Sequence, residues 1–242
     1  MKFNYKNIDL PVVEVISEIQ VKLTTDTTLI VKAPPGAGKS TLVPLTLMNE
    51  PWLKGQKILM LEPRRLAAKT IATRMADLLS EQIGESVGFR IRFENRVGPN
   101  TQIEVVTEGI LTRMIQQDNG LEGVGLVIFD EFHERSIHAD VAMALCREAQ
   151  QILRPDLRIM VMSATLDMPE LSAMLNASVV ISERRQYPIE INYSGESDMR
   201  LLPELAARVV KSALQKHEGD ILVFLPGQGE IRKCEEFLRN ST

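Results

Sequence analysis

The sequence predicts an α/β protein with a doubly wound parallel sheet. Two observations predict it. Short apolar runs alternate with segments of helical periodicity along most of the chain, and alternating strands and helices pack as right-handed crossovers on a parallel sheet. Several runs, such as LVIFD at 126–130 and IMVMS at 159–163, are apolar on both faces and end in a polar residue. That is the pattern of a central strand covered on both sides.

The elements follow in order. Residues 11–22 read as an amphipathic helix and TLIVK at 28–32 as a strand. A glycine-rich loop comes next, then a helix from Lys39 to Met48 that Pro44 should perturb, because an interior proline removes a hydrogen bond. KILMLE at 57–62 is a strand. From Arg65 to Leu79, apolar Ile71, Met75, Leu78 and Leu79 share one helical face. SVGFRIRF at 86–93 and TQIEVVT at 101–107 read as strands, GILTRMIQQ at 109–117 as a short helix and GVGLVIFD at 123–130 as a buried strand. Ile137, Val141, Ala144 and Leu145 mark another helix, and LRIMVMSAT at 157–165 another buried strand. Near Tyr187-Pro188 the chain leaves this first domain. IEINY at 189–193 and GDILVFLP at 219–226 read as strands. Between them Leu202, Leu205, Ala206, Val209, Val210 and Ala213 form a helix face, and a polar helix follows. Two strands and two helices bury little, so this portion reads as the start of a second α/β domain.

Composition is that of an ordinary globular chain: 242 residues, 44% hydrophobic, 25% charged. No apolar run reaches the roughly 18 residues of a membrane span, and the N-terminus lacks a secretion signal. Cys146 and Cys234 stand alone, outside any C-x-x-C pair, which fits a reducing cytoplasm better than a disulfide or metal framework. The net charge of −4 argues weakly against a broad nucleic-acid surface. A local basic groove is compatible with it, since Arg64, Arg65, Arg74, Arg90, Arg92 and Arg96 are clustered in sequence.

Five motifs carry chemistry, and each directly follows a strand, where open parallel sheets place their ligands. The first is Ala33-Pro-Pro-Gly-Ala-Gly-Lys-Ser40. Backbone N–H groups of a glycine turn at a helix start point at phosphate oxygens. Gly36 and Gly38 let the main chain approach, Lys39 neutralises β and γ phosphates, and Ser40 offers a hydroxyl to Mg²⁺. The second is Asp130-Glu131-Phe132-His133: one carboxylate holds Mg²⁺ through water and its neighbour positions and deprotonates a water. The third is Ser163-Ala164-Thr165, whose hydroxyls either relay nucleotide state to His133 or simply cap a helix. The fourth is Glu62-Pro63-Arg64-Arg65 and the fifth Thr107-Glu108-Gly109. An arginine pair and a helix-start N–H suit phosphodiester oxygens; solvated arginines and a plain cap explain them equally well.

Taken together, PPGAGKST, EPRRLAA, TEGILTRM, DEFHERSIHAD, SAT and, at 224–231, FLPGQGEI resemble motifs I, Ia, Ib, II, III and IV of DEAH-type (DExH) RNA helicases of superfamily two. The wording of LVIFDEFHERS and FLPGQGEIRK is most similar to the bacterial HrpB-type branch. The resemblance implies two RecA-like domains with ATP between them: residues 1–185 as the ATP-binding domain and 186–242 as an incomplete second domain, ending before motifs V and VI and their arginine finger. It implies that Pro35, Gly36, Ala37, Gly38, Lys39, Ser40 and Thr41 hold ATP, with Arg74 near the adenine. Ser40, Asp130 and Glu131 would hold Mg²⁺, and Lys39, Asp130, Glu131 and His133 would form the catalytic set. His133 would couple to Ser163, Ala164 and Thr165, while Arg64, Arg65, Thr107, Glu108 and Gly109 line an RNA path, RNA being favoured over DNA. Phe132 replaces the usual alanine at an interior-facing position. The implied protein is a cytoplasmic, monomeric, RNA-stimulated NTPase. A non-catalytic module that grips ATP or RNA is the alternative. A kinase or transporter ATPase would leave DEFH beside SAT unexplained.

Overall fold

The computed structural model describes residues 3–165, 168–183, 188–193 and 198–239. It divides into two compact units, 1–188 and 189–242. The expected boundary at 185/186 and the Tyr187 step lie outside the described residues.

The first unit is built on one eight-stranded sheet, in the order β4-β3-β5-β2-β6-β7-β1-β8. The strands are β1 (Thr28–Lys32), β2 (Lys57–Leu61), β3 (Val87–Ile91), β4 (Glu94–Arg96), β5 (Ile103–Val106), β6 (Val124–Phe129), β7 (Arg158–Ser163) and β8 (Ser178–Ile181). The helices are α1 (Ile16–Thr25), α2 (Lys39–Leu47), α3 (Arg65–Leu79), α4 (Glu108–Gln117), α5 (Ile137–Ile152) and α6 (Met168–Leu175).

The winding follows from handedness. From β1 through α2 to β2, and through α3 to β3, the chain steps toward one edge of the sheet. From β5 through α4, α5 and α6 it steps back toward the other edge. Right-handed crossovers in opposite directions must cover opposite faces. Accordingly Leu29, Val31, Ile58, Met60, Leu126, Ile128, Met160 and Met162 pack with α1, α2 and α3. Their alternates Ile30, Leu59, Leu61, Val127, Phe129, Ile159 and Val161 pack with α4, α5 and α6.

Two local expectations need correction. Residues 11–22 are not one helix: Pro11–Val15 is a 3-10 turn and α1 starts at Ile16. The helix after the glycine loop, α2, forms as expected and carries Pro44 in its interior, ending at Leu47. SVGFRIRF is not a single strand. It ends at Ile91 and turns at Arg92-Phe93 into β4, which pairs antiparallel, Ile91 opposite Glu94. Phe93 takes up the turn at φ 71°, with no glycine or asparagine to announce it. β8, which pairs parallel with β1 at the other side, was not foreseen.

The described residues of the second unit form a 3-10 turn (Met199–Leu201), α7 (Leu202–Leu214) and α8 (Gln228–Arg239). Ala207, Val210 and Cys234 are buried there. The expected strands at 189–193 and 219–226 are absent from its described residues. Ile189, Ile191, Leu222 and Phe224 stand exposed instead. A strand exists only where neighbouring backbone completes its ladder, and the described residues of this unit supply no such neighbour.

Gly88 in β3 has no room for a side chain: an added Cβ would lie 2.3 Å from the Arg96 carbonyl oxygen. Because that neighbour is backbone, the hairpin itself must shift. Gly88→Ala is expected to destabilise the first unit by about 1–3 kcal/mol, read as a lowered midpoint in thermal denaturation followed by circular dichroism. An unchanged midpoint would show that the hairpin yields freely.

Candidate functional site

The five motifs lie along the carboxyl edge of this one sheet, on adjacent strands in the order β5, β2, β6, β7, β1. Backbone bonds extend the ladder past the strand ends. Glu62 N–H donates to the Val106 carbonyl at 2.9 Å, Asp130 N–H to Leu61 at 3.0 Å and Ala33 N–H to Ser163 at 3.1 Å. The glycine loop therefore starts beside Ser163, where the helices after β1 and β7 leave for opposite faces. Such a switch point leaves a crevice.

The loop is tied down from outside its own motif. Val12 N–H donates to the Ala37 carbonyl at 3.0 Å. Gly36 and Gly38 have φ of 75° and 87°, the left-handed region that favours glycine. At Gly38 an added Cβ would also meet Leu10 Cδ1 at 2.7 Å. The first turn of α2 carries no side-chain cap, so its dipole and N–H groups face the crevice.

Lys39 is buried, and its Nζ sits 2.9 Å from Glu131 Oε1. The other Glu131 oxygen lies 3.3 Å from His133 Nε2. Glu131 itself adopts φ 49°, a conformation that costs a non-glycine residue about 1–2 kcal/mol and turns its carboxylate toward Lys39. Its N–H donates to Asp130 Oδ1 at 2.9 Å. Asp130 Oδ2 is buried with no hydrogen-bond partner. Burial pushes Asp130 up to about 6, with the Ser40 hydroxyl and the Lys39 charge opposing the rise. Burial likewise pushes Glu62 up to about 7; the Arg64 N–H works against it, and the carboxylates of Asp130, Glu131 and Glu134 add to it.

The structure gathers some predicted residues and not others. Lys39, Ser40, Asp130, Glu131 and His133 come together. Ser163 is wholly buried one strand away, where its Oγ accepts from the Thr165 N–H at 3.3 Å. No hydrogen bond joins His133 to Ser163 or Thr165 in this arrangement, and His133 Nδ1 is buried without a partner. Phe132 is buried edge-on against Phe129, ring centres 6.0 Å apart, as an interior position demands. Arg74 is exposed on α3, with no hydrogen bond or ion pair to the loop.

A second concavity of about 580 Å³ lies beside the β2 and β5 ends, lined by Arg65, Arg92, Phe93, Thr107, Glu108 and Arg113 among others. Gly109 opens α4 into it, with nothing near the position of a Cβ. Arg65, Thr107, Glu108 and Gly109 thus share a cleft, whereas Arg64 turns aside to Glu134. Arg92 and Phe93 were missed as site residues. The guanidinium of Arg92 lies 4.7 Å from the Phe93 ring centre. Only the unforeseen hairpin brings the pair here.

Residues 14–174 match the family model described as DEAD/DEAH box helicase. The chain belongs to the DEAD/DEAH box helicase family. It is 50% identical over 230 residues to the ATP-dependent RNA helicase HrpB of Escherichia coli, covering 95% of this chain and 28% of that protein. It is 33% identical over 231 residues to the ATP-dependent RNA helicase HrpA of Borreliella burgdorferi, covering 93% of this chain and 28% of that one. A crystal structure of E. coli DEAH/RHA helicase HrpB matches with a TM-score of 0.89 at 49% identity, over 97% of this chain and 30% of that chain. A structure of E. coli DExH-box NTPase HrpB gives 0.76 at 48%, over 96% and 29%. The first unit is therefore a RecA-like helicase domain, and the chain spans less than a third of the relatives it matches. Among its described residues no helix is long and apolar enough to cross a membrane.

The buried Asp130 gives a stability signature. Folding raises its pKa from 3.8 to about 6. Between those values the native state holds a proton that the unfolded chain has lost, so stability falls as pH rises through the window, and the cost is fully present above it. Asp130→Asn is expected to stabilise the domain at pH 7.5 by on the order of 2 kcal/mol, a rise of a few degrees in Tm. The gain should shrink toward pH 4. Melts over that pH range check this, and a gain independent of pH would contradict it.

Proposed function

We propose that this chain is the nucleotide-binding portion of an ATP-dependent RNA helicase, binding ATP with Mg²⁺ at the glycine loop and single-stranded RNA along the β2–β5 cleft. The observation that carries the nucleotide half is the orphaned Asp130 Oδ2 beside the Ser40 hydroxyl, at the mouth of an uncapped helix. A buried carboxylate oxygen without a hydrogen-bond partner costs free energy unless a cation or donor meets it.

The residues fit Mg²⁺. Ser40 and Asp130 would hold it, with Glu131 alongside. Among the described residues no group of three or more acids, histidines or cysteines could cage a metal unaided, and magnesium commonly takes one or two protein ligands and completes its shell with phosphate oxygens and water. When bound, the ion neutralises charge on the phosphates. The chain's own residues do the rest. Lys39, now paired with Glu131, exchanges that carboxylate for phosphate oxygens. Glu131, released, becomes the base that orients and deprotonates water. The loop N–H groups and α2 hold the phosphate chain. His133 Nδ1 is free to take a new partner, and Ser163 and Thr165 supply the nearest candidates from motif III. Residues 186–242 would begin a second RecA-like domain.

For RNA, Arg65, Arg92 and Arg113 supply charge to phosphodiesters, and the start of α4 at Gly109 supplies an open N–H. Phe93 offers a ring on which a base stacks. These contacts follow the backbone and carry little sequence information. No stable oligomer is required, and a cytoplasmic place fits the family.

Lys39→Ala is expected to weaken ATP binding at least about thirtyfold, since it removes a buried cation facing the phosphates; unchanged affinity by calorimetry would sink the nucleotide assignment. Arg65→Ala is expected to weaken single-stranded RNA binding and lower the slope of log affinity against log salt by about one, measured by fluorescence anisotropy. A variant with wild-type affinity and slope would remove Arg65 from the RNA path.

A further inference from the structure

One segment, 130–136, touches both halves of the site. At its start Asp130 and Glu131 face Lys39. At its end Glu134 pairs with Arg64, and the Ser136 hydroxyl is bonded to Glu108. Glu108 lines the RNA cleft. It also lines a small cavity of about 80 Å³ shared with Asp130, Glu131 and Glu134. Between the two ends runs a single 3-10 turn, Phe132–Glu134, with residues of positive φ on either side: Glu131 at φ 49° and Arg135 at φ 44°. A turn pinned by two such residues is poised to change conformation when its ties change.

Arg64 is the unexpected member. Its neighbour Arg65 lines the cleft, while Arg64 does not. Its guanidinium is largely exposed at Glu134, and an exposed ion pair is weak. A phosphodiester, which arginine holds with two donors, is a competent replacement for the carboxylate.

We propose that Glu134 is a positioning residue that keeps Arg64 off the RNA path in the unliganded chain, and that RNA phosphate, by taking Arg64, frees the 130–136 turn that carries the nucleotide-site acids. This rests on the RNA reading given above. Glu134 thereby acts as a negative gate on RNA binding and as the link by which RNA reaches Glu131. Ser136 is the second tie on the same turn. Because Ser136 Oγ also caps α5, accepting from the Ala139 N–H at 3.0 Å, Glu134 is the cleaner residue to change.

The test uses the whole chain and a labelled single-stranded oligouridine, with affinity read by anisotropy at low salt for the unsubstituted protein, Glu134→Gln, Arg64→Ala and the double variant. Circular dichroism verifies folding of each. Glu134→Gln should tighten RNA about two- to fivefold, the range that loss of an exposed pair allows. Arg64→Ala should weaken it, and the double variant should match Arg64→Ala alone. A second readout is the affinity for a non-hydrolysable ATP analogue with and without the RNA. The ratio should move toward one in Glu134→Gln. RNA affinity unchanged in folded Glu134→Gln, or tightening that persists without Arg64, overturns the gate. An unchanged ratio overturns the link. Absence of RNA binding by the unsubstituted chain overturns the RNA reading itself, and this proposal with it.

Discussion

Backbone hydrogen bonds prolong the parallel ladder beyond its strands, and the site hangs from three of them. Glu62 to Val106, Asp130 to Leu61 and Ala33 to Ser163 join neighbouring strands at the point where each chain leaves the sheet. In a parallel sheet every strand ends on the same side, so residues far apart in sequence arrive at one edge without any long-range side-chain contact to draw them there. The core on both faces keeps the register, because a slip of one residue would exchange the sets Leu29/Val31 and Ile30 between opposite helical layers. Position at the edge is thus a by-product of burial elsewhere.

That edge is electrostatically unfavourable as it stands. Glu62 and Asp130 are both held above the ordinary carboxylate range, chiefly by burial. Lys39 is the nearby buried cation, and it is committed to Glu131. A fold selected for stability alone would place amides here. Unpaired acids beside a phosphate-binding turn make sense as half of a charge arrangement whose other half arrives with the ligand. The strained φ of Glu131 belongs to the same economy of the site, since it aims the carboxylate at the loop rather than at solvent.

The two arginines of motif Ia show how little a motif alone says about roles. Arg64 and Arg65 are adjacent and chemically identical. Arg65 begins α3 and reaches the cleft, whereas Arg64 precedes the helix in extended conformation and meets Glu134. One peptide bond separates a side chain that lines the cleft from one that pairs with Glu134.

The sequence by itself determined the layered class, the central strands and the glycine loop between strand and helix. Those rest on local signals: a two-sided apolar run must be a covered strand, and Gly36, Gly38 and Lys39 mean the same wherever a strand precedes and a helix follows. It also marked Phe132 as interior. What only the tertiary structure decided lies where a residue's state depends on a neighbour supplied by another part of the chain. The β3–β4 hairpin turns at Arg92-Phe93 without turn residues, closed by the antiparallel ladder between the two strands, and so brings an aromatic–arginine pair into the cleft. SVVI becomes a strand because β1 offers an open edge; ILVF at 221–224, equally apolar, has no partner strand among the described residues and stays outside any ladder. The division of labour between Arg64 and Arg65, and the bond from Ser136 to Glu108, could not be read from spacing. Local propensity names which groups a segment carries, but only the packed sheet sets which of them meet.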